Sequence, residues 1–390
     1  MRLLKVGVLV SVLAASATFG FAGGNGLVVH EWGTFTSIAG KDGFALDYRP
    51  LQGTVSDLPS FVYSSENLPR GLRGRYLVGK NVNARVRMET PVLYFYSDTR
   101  LEVSVKVDFP LGKITEFYPR ANAVDHGIDW GTFAVAPGSS DAFPRGHEDN
   151  PYYRARETDA APLSVCDREG TEHEKFLFYR GVGTFDLPLT VARDRADHFA
   201  IANVGAEKVA GIVLFRREGD RSGFELVKPL APGEKVTVHN PALPCKIPHE
   251  MTRDSLEEKL VTILVEQGLY AKEATAMVAT WRDTWFEDGV RAFYIFPRPA
   301  TDRVLPITIS PEPASLVRVL VGRIEVLTPE QESRVRALVV KLGDDRPLVR
   351  DEASAAIRKL GRFFRPLLVA AKKDAADAEV VERLRQILED

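Results

Sequence analysis

From Leu27 to about Cys245 the chain is written in short runs whose apolar residues recur at every second position, and no stretch with helical spacing links one run to the next. LEVSVKVDFP shows this most plainly: Val103, Val105, Val107 and Phe109 alternate with Glu102, Ser104, Lys106 and Asp108. A period of two sends successive side chains to opposite faces, which defines a half-buried strand. PLG then turns the chain into KITEFYP, and HFAIANVG, VAGIVLFRREG, GFELVKPL and EKVTVHN follow between turn signals such as EGDRSG and APGE. Parallel strands need long crossovers, so short strands at close spacing predict antiparallel, sandwich-like sheets over residues 27–249. The interval 125–174 is rich in Pro, Gly and charge. It reads as long loops, where binding and catalytic groups concentrate.

Helical spacing enters after residue 249. SLEEKLVTILVEQG opens on a capping-box pattern, Ser255 and Glu258, and carries the stripe Leu256, Leu260, Ile263 and Leu264. In KEATAMVATWRDTWFEDG the stripe is Ala274, Met277, Val278, Trp281 and Trp285, a packed core seam in preference to a ligand shelf. RAFYIF, VLPITI and LVRVLVGRIEVL then read as strands, making 250–327 a mixed α/β section. From Thr328 the pattern is helical throughout, opening with Thr328, Pro329 and Gln331 as cap, first-turn proline and reciprocal partner. LGDDRPLVRDEASAAIRKLG resembles a HEAT-type repeat. Residues 328–390 have room for one or two such repeats, a small all-α module and not a solenoid. The expected fold class is therefore mainly β, with a mixed α/β section and a helical C-terminal module.

The 51 basic and 53 acidic side chains leave a net charge of -2, which gives no basic face for nucleic acid. Arg2 and Lys5, the apolar run Val6 to Phe21, and Ala22, Gly23 and Gly24 read as a secretory signal peptide over 1–22. The run is shorter than the roughly 20 residues of a membrane span, so no transmembrane anchor is expected after cleavage. The expected location is periplasmic or extracellular. There a pair such as Cys166 and Cys245 is expected to form a disulfide, two separate buried thiols being the alternative.

No H-E-x-x-H, G-x-S-x-G, P-loop or G-x-G-x-x-G motif is present, so no cofactor or metal is named by a motif. Three weaker constellations remain. HEWGTF places His30, Trp32 and Thr34 on one face of a strand and Glu31, Gly33 and Phe35 on the other. Its structural reading puts Trp32 and Phe35 in the core with His30 hydrogen-bonded. DHGIDWGTF repeats the W-G-T-F beside His126 and Asp129, as equivalent strands of two related halves would. HEDNPYYRARETDA gathers His147, Glu148, Asp149, Tyr152, Tyr153, Arg154, Arg156, Glu157 and Asp159. That loop suits a sugar, through stacking and carboxylate hydrogen bonds, a cation held by its oxygens, or an ion-pair network of Arg156 with Glu157 and Asp159.

VVHEWGTFTS, METPVLYFYS, YYRARETDAAPL, EKFLFYRGVG, WRDTWFEDGVRAFYIFPR and RVLVGRIEVLTP together resemble a family of uncharacterised exported bacterial proteins that open with H-E-W-G-T-F. The resemblance spans roughly Leu27 to Pro329 and implies export, but no activity and no residue roles. Three classes of function stay open. The first is an extracytoplasmic protein that binds an envelope glycan or a partner protein. The second is a carboxylate- or metal-dependent hydrolase using His30, Glu31, His126, Asp129, Glu157 and Asp159. The third is a structural subunit docking through its helical tail.

Overall fold

The computed structural model describes residues 26–51, 57–72, 82–146, 149–195, 198–239 and 248–389. The expected signal peptide, His147, Glu148 and Cys245 lie outside the described residues. Cys166 is exposed, with its thiol 3.2 Å from the Thr171 hydroxyl.

A nine-stranded sheet is the spine of the molecule. Its order is Arg221–Val227, Ala210–Glu218, Gly289–Phe296, Ser315–Val326, Val28–Ala39, Val86–Tyr96, Leu177–Gly183, Gly112–Tyr118 and Tyr63–Ser64. The strand that begins with HEWGTF's neighbours is thus the central one, and all of its residues are buried. One face of the sheet packs on a six-stranded sheet that includes Leu101–Asp108 and Gly127–Val135 and on a three-stranded one, Leu189–Arg195, His198–Asn203 and Lys235–His239. The alternating Val103, Val105 and Val107 point into this shared core. Helices His249–Glu266 and Ala271–Trp285 cover part of the other face through Leu256, Leu260, Met277, Trp281 and Trp285. The two tryptophans stack in that core, their rings 6.5 Å apart. The mainly β, sandwich-like expectation matches this architecture.

Several local readings need correction. Val28–Ala39 pairs in parallel with Ser315–Val326, so the main sheet is mixed. The boundary drawn at 249/250 does not divide the sheet, because Gly289–Phe296 and Ser315–Val326 lie inside it. The interval 125–174 holds strands Gly127–Val135, Leu163–Asp167 and Gly170–Glu174, and the described residues of 136–162 form no strand. LEVSVKVD and GKITEFY do not pair with each other; the PLG turn carries the chain from one sheet to the other. The first long helix starts at His249, six residues before the Ser255 pattern. There His249 Nδ1 lies 2.8 Å from the Ser222 hydroxyl, and Thr252 donates to the Ser222 carbonyl at 3.3 Å. Those tertiary contacts extend the helix beyond what its local capping signal indicates.

The two W-G-T-F copies are not equivalent. Beside the first, the register shifts between Trp32 and Thr34, the partner strand setting two residues, Thr90 and Pro91, against Gly33, with Thr90 left-handed at φ 52. Trp32 then faces the helical layer and Phe35 the inter-sheet core. In the second copy the bulge falls at Trp130 itself, and Trp130 and Phe133 enter the same core. One extra residue reverses the parity of everything after it.

In the tail, Thr328 and Gln331 form the expected reciprocal cap on Pro329–Lys341. Helices Pro347–Arg358, Arg365–Asp374 and Ala378–Glu389 complete a core around Val335, Ala353, Ile357, Leu368, Leu384 and Ile387.

Candidate functional site

Because the central strand is buried on both faces, its polar residues must find partners across the layers. His30 points toward the helices, where its Nδ1 lies 2.7 Å from Glu273 Oε2. The fully buried Glu273 carboxylate also accepts from Tyr96 Oη at 2.7 Å and from the Tyr270 backbone N–H at 2.8 Å. Tyr270 lies against the His30 ring at 4.5 Å. Burial, then the nearby Glu273 charge, pushes the Tyr96 hydroxyl well above its ordinary range, so it stays a donor. This constellation fixes the start of helix Ala271–Trp285 on the sheet, with Glu273 also serving as the third-position partner of the N-cap residue Tyr270.

Glu31 points the other way. It accepts from Tyr179 and from Arg318, all three being buried. Arg318 continues to Asp302 at 2.8 Å and to the Leu305 carbonyl at 2.7 Å, which ties down the short helix Arg298–Val304. Burial works against the Arg318 guanidinium, but Glu31, Tyr179 and Asp302 together more than offset this and raise its pKa. His30 and Glu31 are therefore neighbours in sequence and belong to opposite layers.

The 149–159 segment is held just as firmly. Asn150 caps the short helix Pro151–Arg156 by accepting from the Tyr152 N–H. Arg156 makes two hydrogen bonds, 2.9 and 2.6 Å, to the buried Glu174, and Tyr152 Oη donates to the same carboxylate at 3.2 Å. The rings of Tyr153, Phe143, Tyr152 and Phe61 surround the guanidinium at 4.9 to 5.8 Å. Such faces favour a cation. Burial pushes the Glu174 carboxyl up, and Arg156 draws it part of the way back. The expected network of Arg156 with Glu157 and Asp159 is thus replaced: Glu157 pairs with Arg154 at 3.3 Å, and Asp159 with Lys272 at 2.6 Å, both at the surface.

Asp129 sits in the second sheet, accepting from the Gly131 N–H at 2.8 Å, and His126 is exposed at the bend just before its strand. The structure therefore does not assemble His30, Glu31, His126, Asp129, Glu157 and Asp159 into one constellation. Among the described residues, no group of three or more His, Cys, Asp or Glu is placed to hold a metal ion. Glu273, Glu174, Tyr96 and Arg318 went unnoticed in the sequence. The one local signal was the spacing Tyr270 to Glu273, a first-turn carboxylate before an apolar stripe.

These buried ties position a surface feature. The Asp149–Arg154 stretch and the two helices border a groove of about 1070 Å³, with Pro151, Val261, Val278 and Ala279 among its apolar lining. Its charged lining is Asp149, Asp254, Glu257, Glu258 and Asp283 against Arg154 and Arg282. Arg282 is engaged by Glu257 at 2.7 Å and Arg154 by Glu157. Asp149 and Glu258 form no ion pair among the described residues. The groove is acidic in excess.

No family model matches the chain, and no curated protein matches it in sequence. The solved structures it matches include the yeast delta-COP-I mu-homology domain, 8% identical, covering 79% of this chain and 100% of that one with a TM-score of 0.29. The same domain complexed with Dsl1 WxWxV peptide covers 79% and 98% at a TM-score of 0.27. Likeness at that level carries no argument about fold or function. No helix among the described residues is long and apolar enough to cross a membrane.

Proposed function

We propose that the chain is an exported binding protein that takes a basic segment of a partner protein into the groove between Asp149–Arg154 and helices His249–Glu266 and Ala271–Trp285. The observation that carries this reading is the acidic excess around an apolar floor: of five carboxylates, Asp254 and Glu257 are paired with Arg253 and Arg282, while Asp149 and Glu258 form no ion pair among the described residues. A lysine- or arginine-bearing segment would bury its side-chain stems on Val261 and Val278 and set its charges against Asp149 and Glu258. A glycan fits less well, since among the described residues no aromatic ring lines the groove to stack on a sugar face. A hydrolase reading has less support, because its carboxylates lie on separate layers and Glu157 and Asp159 are spent on surface pairs.

The test uses a fluorescent lysine-rich peptide and the full chain, followed by anisotropy at two salt concentrations. Binding should weaken with salt, and Asp149→Lys/Glu258→Lys should weaken it about tenfold, ~1.4 kcal/mol. Equal affinity in that variant would rule the groove out as the binding site.

A further inference from the structure

A second groove lies where the tail meets the body, and it has the opposite charge. Its volume is about 800 Å³. Its apolar lining comes from both sides of the seam: Leu46, Val326 and Leu327 from the body, Leu367, Val369 and Ala370 from the third tail helix, Arg365–Asp374. Val369 is 49% exposed, although its neighbour Leu368 is packed in the tail core, so the helix presents an apolar side chain toward the seam with nothing on it. Around this lining stand Lys41, Arg336 and Lys373 against Asp47 and Glu332, with Arg193 already paired to Glu330 at 3.2 Å.

Neither acid neutralises the rim. Asp47 faces Arg85, which lies outside the groove, at 3.2 Å. Glu332 serves two cations at once, Arg336 at 3.3 Å and Lys41 at 3.9 Å. Lys41 is 82% exposed by its side chain, and Lys373 forms no ion pair among the described residues. An apolar trough whose rim carries Lys373 without an ion pair and Lys41 and Arg336 sharing one carboxylate selects an occupant that is apolar on one side and acidic on the other.

We infer that this seam is a docking groove for an amphipathic, acidic helix of a partner protein. Its leucine-type face would lie on Leu46, Leu367 and Val369, and its Asp or Glu side chains would reach Lys41 and Lys373. The site depends on the tail being seated on the body, since neither part supplies the whole lining. It is separate from the acidic groove and does not rest on that assignment.

The experiment titrates the full chain into a labelled helical peptide of about twelve residues, leucines at i, i+3, i+4 and i+7 and glutamates elsewhere, read by anisotropy. Binding is expected, with at least a fivefold loss in Lys41→Glu/Lys373→Glu and in Val369→Glu, and no change in Asp149→Lys/Glu258→Lys. These are surface positions, and circular dichroism of each variant confirms an unchanged fold. Absence of binding to the parent chain overturns the inference, as does affinity indifferent to all three groove substitutions. Saturable binding of dodecanoate at the groove with none of the peptide also overturns it, making the occupant an acyl chain.

Discussion

The Arg156–Glu174 pair shows most clearly what a single residue does here. Glu174 is fully buried, and two of its hydrogen bonds come from one guanidinium. Removing one partner of such a pair leaves a buried charge without compensation, which costs about 3–5 kcal/mol. Arg156→Leu should therefore destabilise by that amount in urea unfolding, and Arg156→Leu/Glu174→Leu should recover more than half of it. A double variant no better than the single one would show that the aromatic rings around Arg156, and not the carboxylate, dominate. The same logic explains why sequence reading found His30 and Glu31 but not what they do. His30 meets Glu273 across 243 positions, and Glu31 meets Arg318 across 287. No local pattern encodes a partner at that range. Periodicity did show that the two residues face opposite ways, because that depends only on the strand they share.

At the level of elements, strands were legible wherever alternation was strict, as in Val103 to Val107, and the Thr328 cap was legible because all its parts lie within one turn. The central pairing was not legible, since Val28 meets Ser315 across 287 positions. Bulges were hidden too, although glycine marks both W-G-T-F copies. Gly33 is there for closeness: a Cβ would stand 2.9 Å from both Leu320 Cδ1 and the Pro91 Cα. Gly131 is there for conformation, at φ +64. Gly33→Ala should cost about 1–3 kcal/mol as overpacking against a backbone that cannot yield. Trimming the obstacle on the far side, in Gly33→Ala/Leu320→Ala, should not restore stability, because the Pro91 contact remains. Thermal unfolding of the two variants checks both statements.

For the whole molecule, the seat of the tail is the decisive joint. Arg362 pairs with Glu89 at 2.6 Å, and Phe363 lies 5.0 Å from the Arg323 guanidinium. Burial alone would raise the Glu89 carboxyl, but Arg362, Arg87, Arg323 and Arg180 together hold it below its ordinary range. An acid with a depressed folded pKa contributes stability above its unfolded value, about 4.3, and loses it as pH falls through the lower folded value. Arg362→Ala should thus destabilise the chain by about 1–3 kcal/mol at neutral pH. The gap to the parent should narrow below about pH 4 as Glu89 takes up its proton. A gap independent of pH would mean that the tail is held by packing around Phe363 instead.

The parallel pairing of Val28–Ala39 with Ser315–Val326 has a consequence for how the chain reaches its native state. The middle of the main sheet cannot close until residue 326 is available, so its central strand waits for nearly the whole body to be present. Until then two apolar edges, Val28–Ala39 and Gly289–Phe296, stand open side by side in the order of the sheet. Unpaired edges of this kind recruit other chains, and contacts of such long range form slowly. Folding of this protein is therefore a race between a late strand and aggregation, and any chain interrupted before Ser315 loses it.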